Sequence, residues 1–468
     1  MKKRDFLKLT SLSGVGLLSY GNVNADTPAS SEKTIAYQQK FNMSGYAAPK
    51  LNTVRIGYIG LGNRGGGAIK RIVKIENVQV KAVCDVRPAQ AEAAKTFFEG
   101  AGHSPVAYSG SVDAWKKLCE RDDIDLVYIC TPWSMHAPMA NYAMEHGKHV
   151  AVEIPAATTV EDCWKLVETS ERTKKHCMML ENCCYDFFEL LTLNMARQGY
   201  FGDIIHAEGA YIHDLYDSLF DTTKRHEHWR LKENQRNGNL YPTHGLGPVA
   251  QILDINRGDK MDYLVSMASN DFMLEPRAQK LAAENPVFKQ FAGKKFRGNM
   301  NTTTIRTAKG KTIMLQHDVT SPRVYSRLHV ISGTKGSAQK YPLQEGGPQG
   351  RIAQGHEWLK DADFKALEQK YQPEIIKRIG DLAKKIGGHG GMDFLMDWRL
   401  IDCLRNGLAL DQDVYDAASW SVIAPLSEWS VAHRSNSIDI PDFTAGAWKK
   451  NKSVDISMKE GGNTGVKA

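Results

Sequence analysis

Val54-Arg55-Ile56-Gly57-Tyr58-Ile59-Gly60-Leu61-Gly62-Asn63-Arg64-Gly65 runs from a mainly apolar stretch straight into glycines spaced Gly-x-Gly-x-x-Gly. The first six residues read as a strand, Gly60 to Gly65 as a tight turn, and Ala68 to Ile75 as the amphipathic helix behind it. Alone, such a glycine triplet is a weak signal, and its place between strand and helix gives it weight. The first glycine makes the turn, the second admits a pyrophosphate to the backbone, and the helix N-terminus stabilises its charge. Val78 to Asp85 is the next strand, and Asp85 closes it about 20 residues on, where a carboxylate can accept both ribose hydroxyls. A dinucleotide on Gly60, Gly62, Gly65 and Asp85 follows. Asp85 repels a 2′-phosphate and so favours NAD, while neighbouring Arg87 is the residue that would suit NADP.

Outward from this unit, strands and helices alternate. Ser111 caps a short helix, Leu126 to Cys130 is a buried strand, and His136 to His146 is a helix closed by a left-handed Gly147. His149 to Glu153, a helix from Glu161 to Thr173 and Met178 to Leu180 follow. The alternation predicts an α/β, Rossmann-type doubly wound parallel sheet over residues 51–180. Its strand ends supply further cofactor candidates in Trp133, His136, Glu153 and Asn182. For Trp133 and His136, loop packing and helix capping fit equally well. From Ile204 the pattern changes to short alternating or β-branched runs: Ile204 to Ile212, Tyr263 to Met267, Thr303 to Thr307, Thr312 to Leu315 and Leu328 to Ile331. Residues 181–468 are therefore expected to form a second, α+β domain on a mainly antiparallel sheet, with a helical C-terminal part packing back.

The 468 residues carry 42% apolar and 24% charged side chains, the composition of an ordinary globular chain. Lys plus Arg number 60 against 53 Asp plus Glu. Part of this small excess sits in the first eight residues, which argues against a nucleic-acid partner. No uncharged apolar run is long enough for a spanning helix, so no membrane insertion is expected. Residues 1–30 read as an export signal with a basic start, an apolar stretch and small residues near Val23 and Ala25. Within them Lys3-Arg4-Asp5-Phe6-Leu7-Lys8 resembles a twin-arginine signature, an ordinary secretory signal being the alternative; either gives a periplasmic destination. Residues 31–50 are expected to be a linker. The eight cysteines show no repeated spacing and read as reduced, buried thiols.

Tyr211 and His213 lie two apart on an expected strand and so share a face, which makes them substrate ligands if that face looks into the cleft and half-buried packing residues if not. Arg230 could fork onto hydroxyl or carbonyl groups of a ligand, or make a surface ion pair. His226-Glu227-His228 lacks a second ligand cluster, so no metal is expected. Pro242 and Gly245 flank Thr243-His244, which suggests a constrained helix start where a neutral imidazole could act as a base.

GLGNRG after a strand, then CDVRP, TPWSMH and Glu153-Ile154-Pro155 resemble the Gfo/Idh/MocA oxidoreductase superfamily, which joins a Rossmann domain to an open-sheet substrate domain; the resemblance implies that residues 181–468 are a substrate-binding domain on a large open sheet. Its dehydrogenases carry E-K-P and an Asp and His in D-x-G-x-H; here Ile154, Thr243 and Gly247 stand at those places. Trp133-x-x-His136, Glu181-Asn182, Gly209-x-Tyr211-x-His213-Asp214, His228-Trp229-Arg230, GNLYPTHGLGPVAQ (238–251), NRGDK (256–260) and GHGGMDF (388–394) resemble glycoside hydrolase family 109. This resemblance implies an NAD-dependent α-N-acetylgalactosaminidase. It also implies NAD contacts at Asn63, Arg64, Asp85, Trp133, His136, Glu153 and Asn182, and substrate contacts at Tyr211, Arg230, Tyr241, Pro242, Thr243, His244 and Tyr325. His244 and Tyr241 are the implied acid/base groups. The substrate would be a glycan or small molecule ending in N-acetylgalactosamine; a periplasmic sugar oxidoreductase with tightly held dinucleotide, a sugar-binding protein, and a homo-oligomer stay open.

Overall fold

β1 (Val54–Ile59), β2 (Val78–Cys84), β3 (Val106–Tyr108), β4 (Leu126–Ile129), β5 (His149–Val152) and β6 (Cys177–Met179) pair throughout in parallel, in the order β3-β2-β1-β4-β5-β6. β4 and β5 are buried at every residue, as central strands covered on both faces must be. Strand order reverses between β1 and β4, and the carboxyl ends splay there into a crevice. This computed structural model describes residues 37–223, 226–343 and 349–467. Gln38 onward forms one unit, and the expected export signal lies outside the described residues.

The second sheet has eight strands. They are β7 (Ile204–Ile212), β8 (Met261–Ala268), β9 (Met300–Thr307), β10 (Thr312–Asp318), β11 (Ser326–Gly333), β12 (Ser337–Gln339), β13 (Arg351–Ala353) and β14 (Ile438–Asp439). Their order is β13-β12-β11-β7-β10-β9-β8-β14, and every pairing is antiparallel except β7 with β10, where Thr312 faces His206 and Asp318 faces Ile212. The helix Thr243–Ile252 lies across β7. The contact is backbone to backbone: a Cβ on Gly209 would stand 2.4 Å from the Gly245 carbonyl oxygen, and one on Gly245 would stand 2.3 Å from the Ala210 nitrogen.

The chain's last third returns to the first sheet. The helix Met392–Asn406 packs on the helix Asn63–Ile72 and β1, and Val414–Ser421 packs on Val160–Thr173 and β6. The described part of the expected linker is also held: Met43 and Ala48 are buried, and the Leu51 N–H donates to the Leu404 carbonyl at 3.0 Å. Three local expectations change. The first helix begins at Asn63, inside the expected turn, because tertiary position overrides the low helix propensity of three consecutive glycines. The short helix starts at Ala114 behind Asp113, so Ser111 is not its cap; its Oγ accepts from the Asp113 N–H at 3.2 Å. The helix Pro88–Gly100 is additional.

Candidate active site

The carboxyl ends of β1, β2, β4, β5 and β7 open on one cavity of about 650 Å³. Gly60, Gly62, Asn63, Arg64, Asp85, Trp133, His136, Glu153 and Asn182 line one part of it, and Tyr211, His213, Arg230, Tyr241 and His244 another. Gly65, Pro242, Thr243 and Tyr325 are not on that wall. Gly65 backs the turn, since its Cβ would stand 2.0 Å from the Gly60 carbonyl oxygen, and Thr243 is fully buried. Tyr325 stands behind His213, ring centres 5.1 Å apart.

In the cofactor half, Gly60 has φ +87°, and a Cβ there would meet the Cys130 carbonyl oxygen at 2.5 Å. Only glycine fits. The helix starting at Asn63 has no side-chain cap, which leaves its first N–H groups for an anion. Asp85 accepts from the Leu61 N–H (2.9 Å) and from the Arg87 N–H (3.0 Å) and Nε (2.9 Å). Burial works against its charge, yet these bonds hold the carboxyl below its usual range. Turn, open helix end and ionised carboxylate together fit the pyrophosphate and ribose of a dinucleotide.

Arg64 donates through Nε to Glu153 (2.6 Å) and through Nη1 to Asp393 (2.9 Å), and Asn182 Nδ2 donates to Asp393 at 2.5 Å. One carboxylate from the GHGGMDF stretch thus holds two of the expected cofactor residues, Arg64 and Asn182. Although burial opposes its charge, His389, Arg64 and Arg71 hold Asp393 far below the usual carboxylate range. His136 is fully buried, with Nδ1 2.7 Å from the Pro155 carbonyl and Nε2 2.8 Å from the Thr131 carbonyl. Its nitrogens serve the two loops, so it shapes the wall.

In the other half, Tyr241 stacks on Trp133 (centroids 5.4 Å, 26°), and the Arg230 guanidinium lies over both rings, 4.9 Å from Tyr241 and 5.4 Å from Trp133. Burial pushes the Tyr241 hydroxyl well above its ordinary pKa, which keeps it protonated. His244 Nδ1 lies 2.7 Å from Oε1 of fully buried Glu181. With Nδ1–H donating to the carboxylate, Nε2 is left as the lone-pair atom. Glu181 is a functional residue that the sequence supplied only as part of the Glu181-Asn182 stretch, with no role of its own. Glu181, Cys183 and His244 do bring ligand atoms within 4.8 Å of one another. However, Glu181 Oε1 and His244 Nδ1 are bonded to each other, and burial pushes the Cys183 thiol well up, so the arrangement reads as a carboxylate–imidazole dyad.

Residues 185–450 match the C-terminal domain family of glycosyl hydrolase 109, and residues 54–181 match the NAD-binding Rossmann fold of the Gfo/Idh/MocA oxidoreductase family. An alpha-N-acetylgalactosaminidase of Bacteroides fragilis is 52% identical over 415 residues, covering 87% of this chain and 95% of that protein. A glycosyl hydrolase family 109 protein of Shewanella pealeana is 45% identical over 470 residues, covering 97% and 99%. Levoglucosan dehydrogenase in complex with NADH and L-sorbose superposes with a TM-score of 0.61 at 18% identity, covering 84% of this chain and all (100%) of that one. Scyllo-inositol dehydrogenase of Lactobacillus casei with bound NAD(H) and scyllo-inositol gives 0.59 at 15%, covering 83% and 100%. These two likenesses establish the shared fold.

Proposed function

The chain belongs to glycosyl hydrolase family 109, a glycosidase built on an NAD-binding Rossmann frame, and from that premise we propose that it hydrolyses terminal α-N-acetylgalactosaminides by a redox-neutral route. When bound, NAD+ supplies the oxidant that turns the sugar C3 carbinol into a ketone and later returns the hydride. The ketone acidifies the C2 proton, and His244 Nε2 removes it while Glu181 stabilises the imidazolium. The C2 electron pair forms the C1–C2 double bond as the C1–O bond breaks, and the Tyr241 hydroxyl protonates the departing oxygen. Water then adds at C1, its released proton restoring the Tyr241 hydroxyl, and His244 returns a proton to C2. Arg230, fixed over two rings, is placed to hold the acetamido carbonyl. Paired carboxylates are not needed for such chemistry.

The observation that carries this reading is the Glu181–His244 dyad opening into the same cavity as the glycine turn. Hydrolysis in deuterium oxide should label the product at C2, and deuterium at C2 of the substrate should slow turnover. Unlabelled product together with no isotope effect would rule out elimination. Net accumulation of NADH would instead make the protein an oxidoreductase. The same reading has the chain exported folded and already loaded with NAD, because the dinucleotide binds only once the Rossmann unit exists. Replacing Lys3-Arg4 by Gln-Gln should then strand active enzyme in the cytosol, and active periplasmic enzyme in a strain lacking the twin-arginine translocase would contradict it.

A further inference from the structure

The proposed reaction takes two protons from the sugar, one from C2 and one from the C3 hydroxyl, and the Glu181–His244 dyad accounts for the first. No lysine is among the described residues lining the cavity, and Ile154 is apolar. Glu153 is tied to Arg64, and Asp85 to Arg87 and the Leu61 N–H. A second bonded pair remains on the wall: Tyr211 Oη lies 3.0 Å from His213 Nδ1. The Tyr211 ring has centroid distances of 5.3 Å to His244 and 5.6 Å to His213, so both histidines meet the same phenol. Tyr325 abuts His213 edge-on at 5.1 Å and restrains its ring. Burial, followed by the charges of Arg230 and His244, pushes His213 toward the neutral form, whose Nδ1 accepts the phenolic proton.

We infer that Tyr211, positioned and relieved of its proton by His213, is the acid–base group for the C3 hydroxyl, separate from the group that works at C2. The inference rests on the proposed redox-neutral route. As the electron pair of the C3–H bond leaves with its hydrogen to the NAD+ oxidant, the C3–O π bond forms and the hydroxyl O–H bond breaks. The released proton passes to Tyr211 Oη, and the phenol's own proton passes to His213 Nδ1. Re-reduction reverses each transfer, so the pair ends as it began. Tyr211 is the catalytic group here and His213 its positioning partner.

The test uses NAD-loaded full-length protein with two substrates: an aryl α-N-acetylgalactosaminide and its 3-keto derivative, which needs elimination but no oxidation. In His213→Gln, whose amide keeps a hydrogen bond to Tyr211 but takes no proton, turnover of the hydroxyl substrate should fall about 10²–10⁴-fold. Its bound nicotinamide should stay oxidised on mixing, by near-ultraviolet absorbance, while aryl release from the 3-keto substrate keeps its wild-type order. Tyr211→Phe should behave alike. His244→Ala should do the reverse, accumulating reduced nicotinamide and releasing the aryl group from neither substrate. If His213→Gln and Tyr211→Phe reduce the nicotinamide at the wild-type rate, or lose both substrates equally, the assignment is overturned. If wild type fails on the 3-keto substrate, the redox-neutral route itself falls, and the assignment with it.

Discussion

Glu181 is fully buried, and burial pushes its carboxyl toward the neutral form, yet the charge and hydrogen bond of His244, with a further bond from the Cys183 N–H, hold it below its ordinary range. An ionised carboxylate so placed fixes which imidazole nitrogen carries the proton. Glu181→Gln keeps the shape but can donate to Nδ1, which turns the lone pair away from the cavity. Turnover should fall about 10²–10⁴-fold with bound dinucleotide retained, measured as steady-state kcat beside dinucleotide released on denaturation. Wild-type turnover would show that His244 needs no carboxylate. His244 was legible because Pro242 and Gly245 mark a constrained start around it, whereas Glu181 lies 63 residues away and looks in the sequence like any strand-end acid. Asp393 was hidden for the same reason. Its partners Asn182 and Arg64 are 211 and 329 residues distant, and no local periodicity records such a bond.

At the scale of elements, His244 stands where it does because the helix Thr243–Ile252 rests on β7 without side chains between them. Gly245→Ala would set a methyl 2.3 Å from the Ala210 nitrogen, and backbone on both sides cannot yield cheaply. The helix must retreat, carrying His244 from Glu181 and Tyr211. About 1–3 kcal/mol of stability should be lost, with at least a tenfold drop in turnover, while the glycine turn around Gly60 keeps its dinucleotide. Denaturant midpoints and dinucleotide release check the two halves separately; unchanged turnover would mean that the helix position is not critical. Five of the six parallel strands were legible through their apolar runs, and β7 to β11 through alternation. β3, β12 and β13 were not, at three residues each, nor was β14 at two, because such lengths show no period.

At the scale of the whole molecule, the last third of the chain is tied back onto the Rossmann unit. The helix Met392–Asn406 delivers Asp393 to Arg64 at the dinucleotide turn, and the Lys467 N–H donates to the Lys74 carbonyl at 2.8 Å, so the last residues described close over the first helix. The eight cysteines are free, and all but Cys130 are buried. Stability therefore rests on packing and on buried polar groups, and those groups set its pH dependence.

Several of these groups are histidines that burial pushes toward the neutral form, His149, His176 and His329 among them. His149 and His176 sit at the amino ends of β5 and β6, away from the cavity, with rings 5.1 Å apart, and the His176 N–H donates to His149 Nδ1 at 3.1 Å. Burial, then Lys175, pushes His176 down to about 4, and burial, then His176, pushes His149 well down. His329 also falls to about 4, by burial and the charges of Lys340 and Arg327, although Glu189 opposes the shift. In the unfolded chain each returns to about 6.5. Between those values the unfolded state binds more protons, so the stabilisation is complete above about pH 6.5 and is lost as pH falls toward 4, by roughly 3 kcal/mol for each fully shifted histidine. Urea midpoints should hold steady above neutrality and drop between pH 6.5 and 5, and His176→Phe should flatten that slope without touching the cavity. A midpoint constant across this window would mean that these rings accept protons in the folded state, and the His149–His176 pair would then have to open at the amino edge of the sheet.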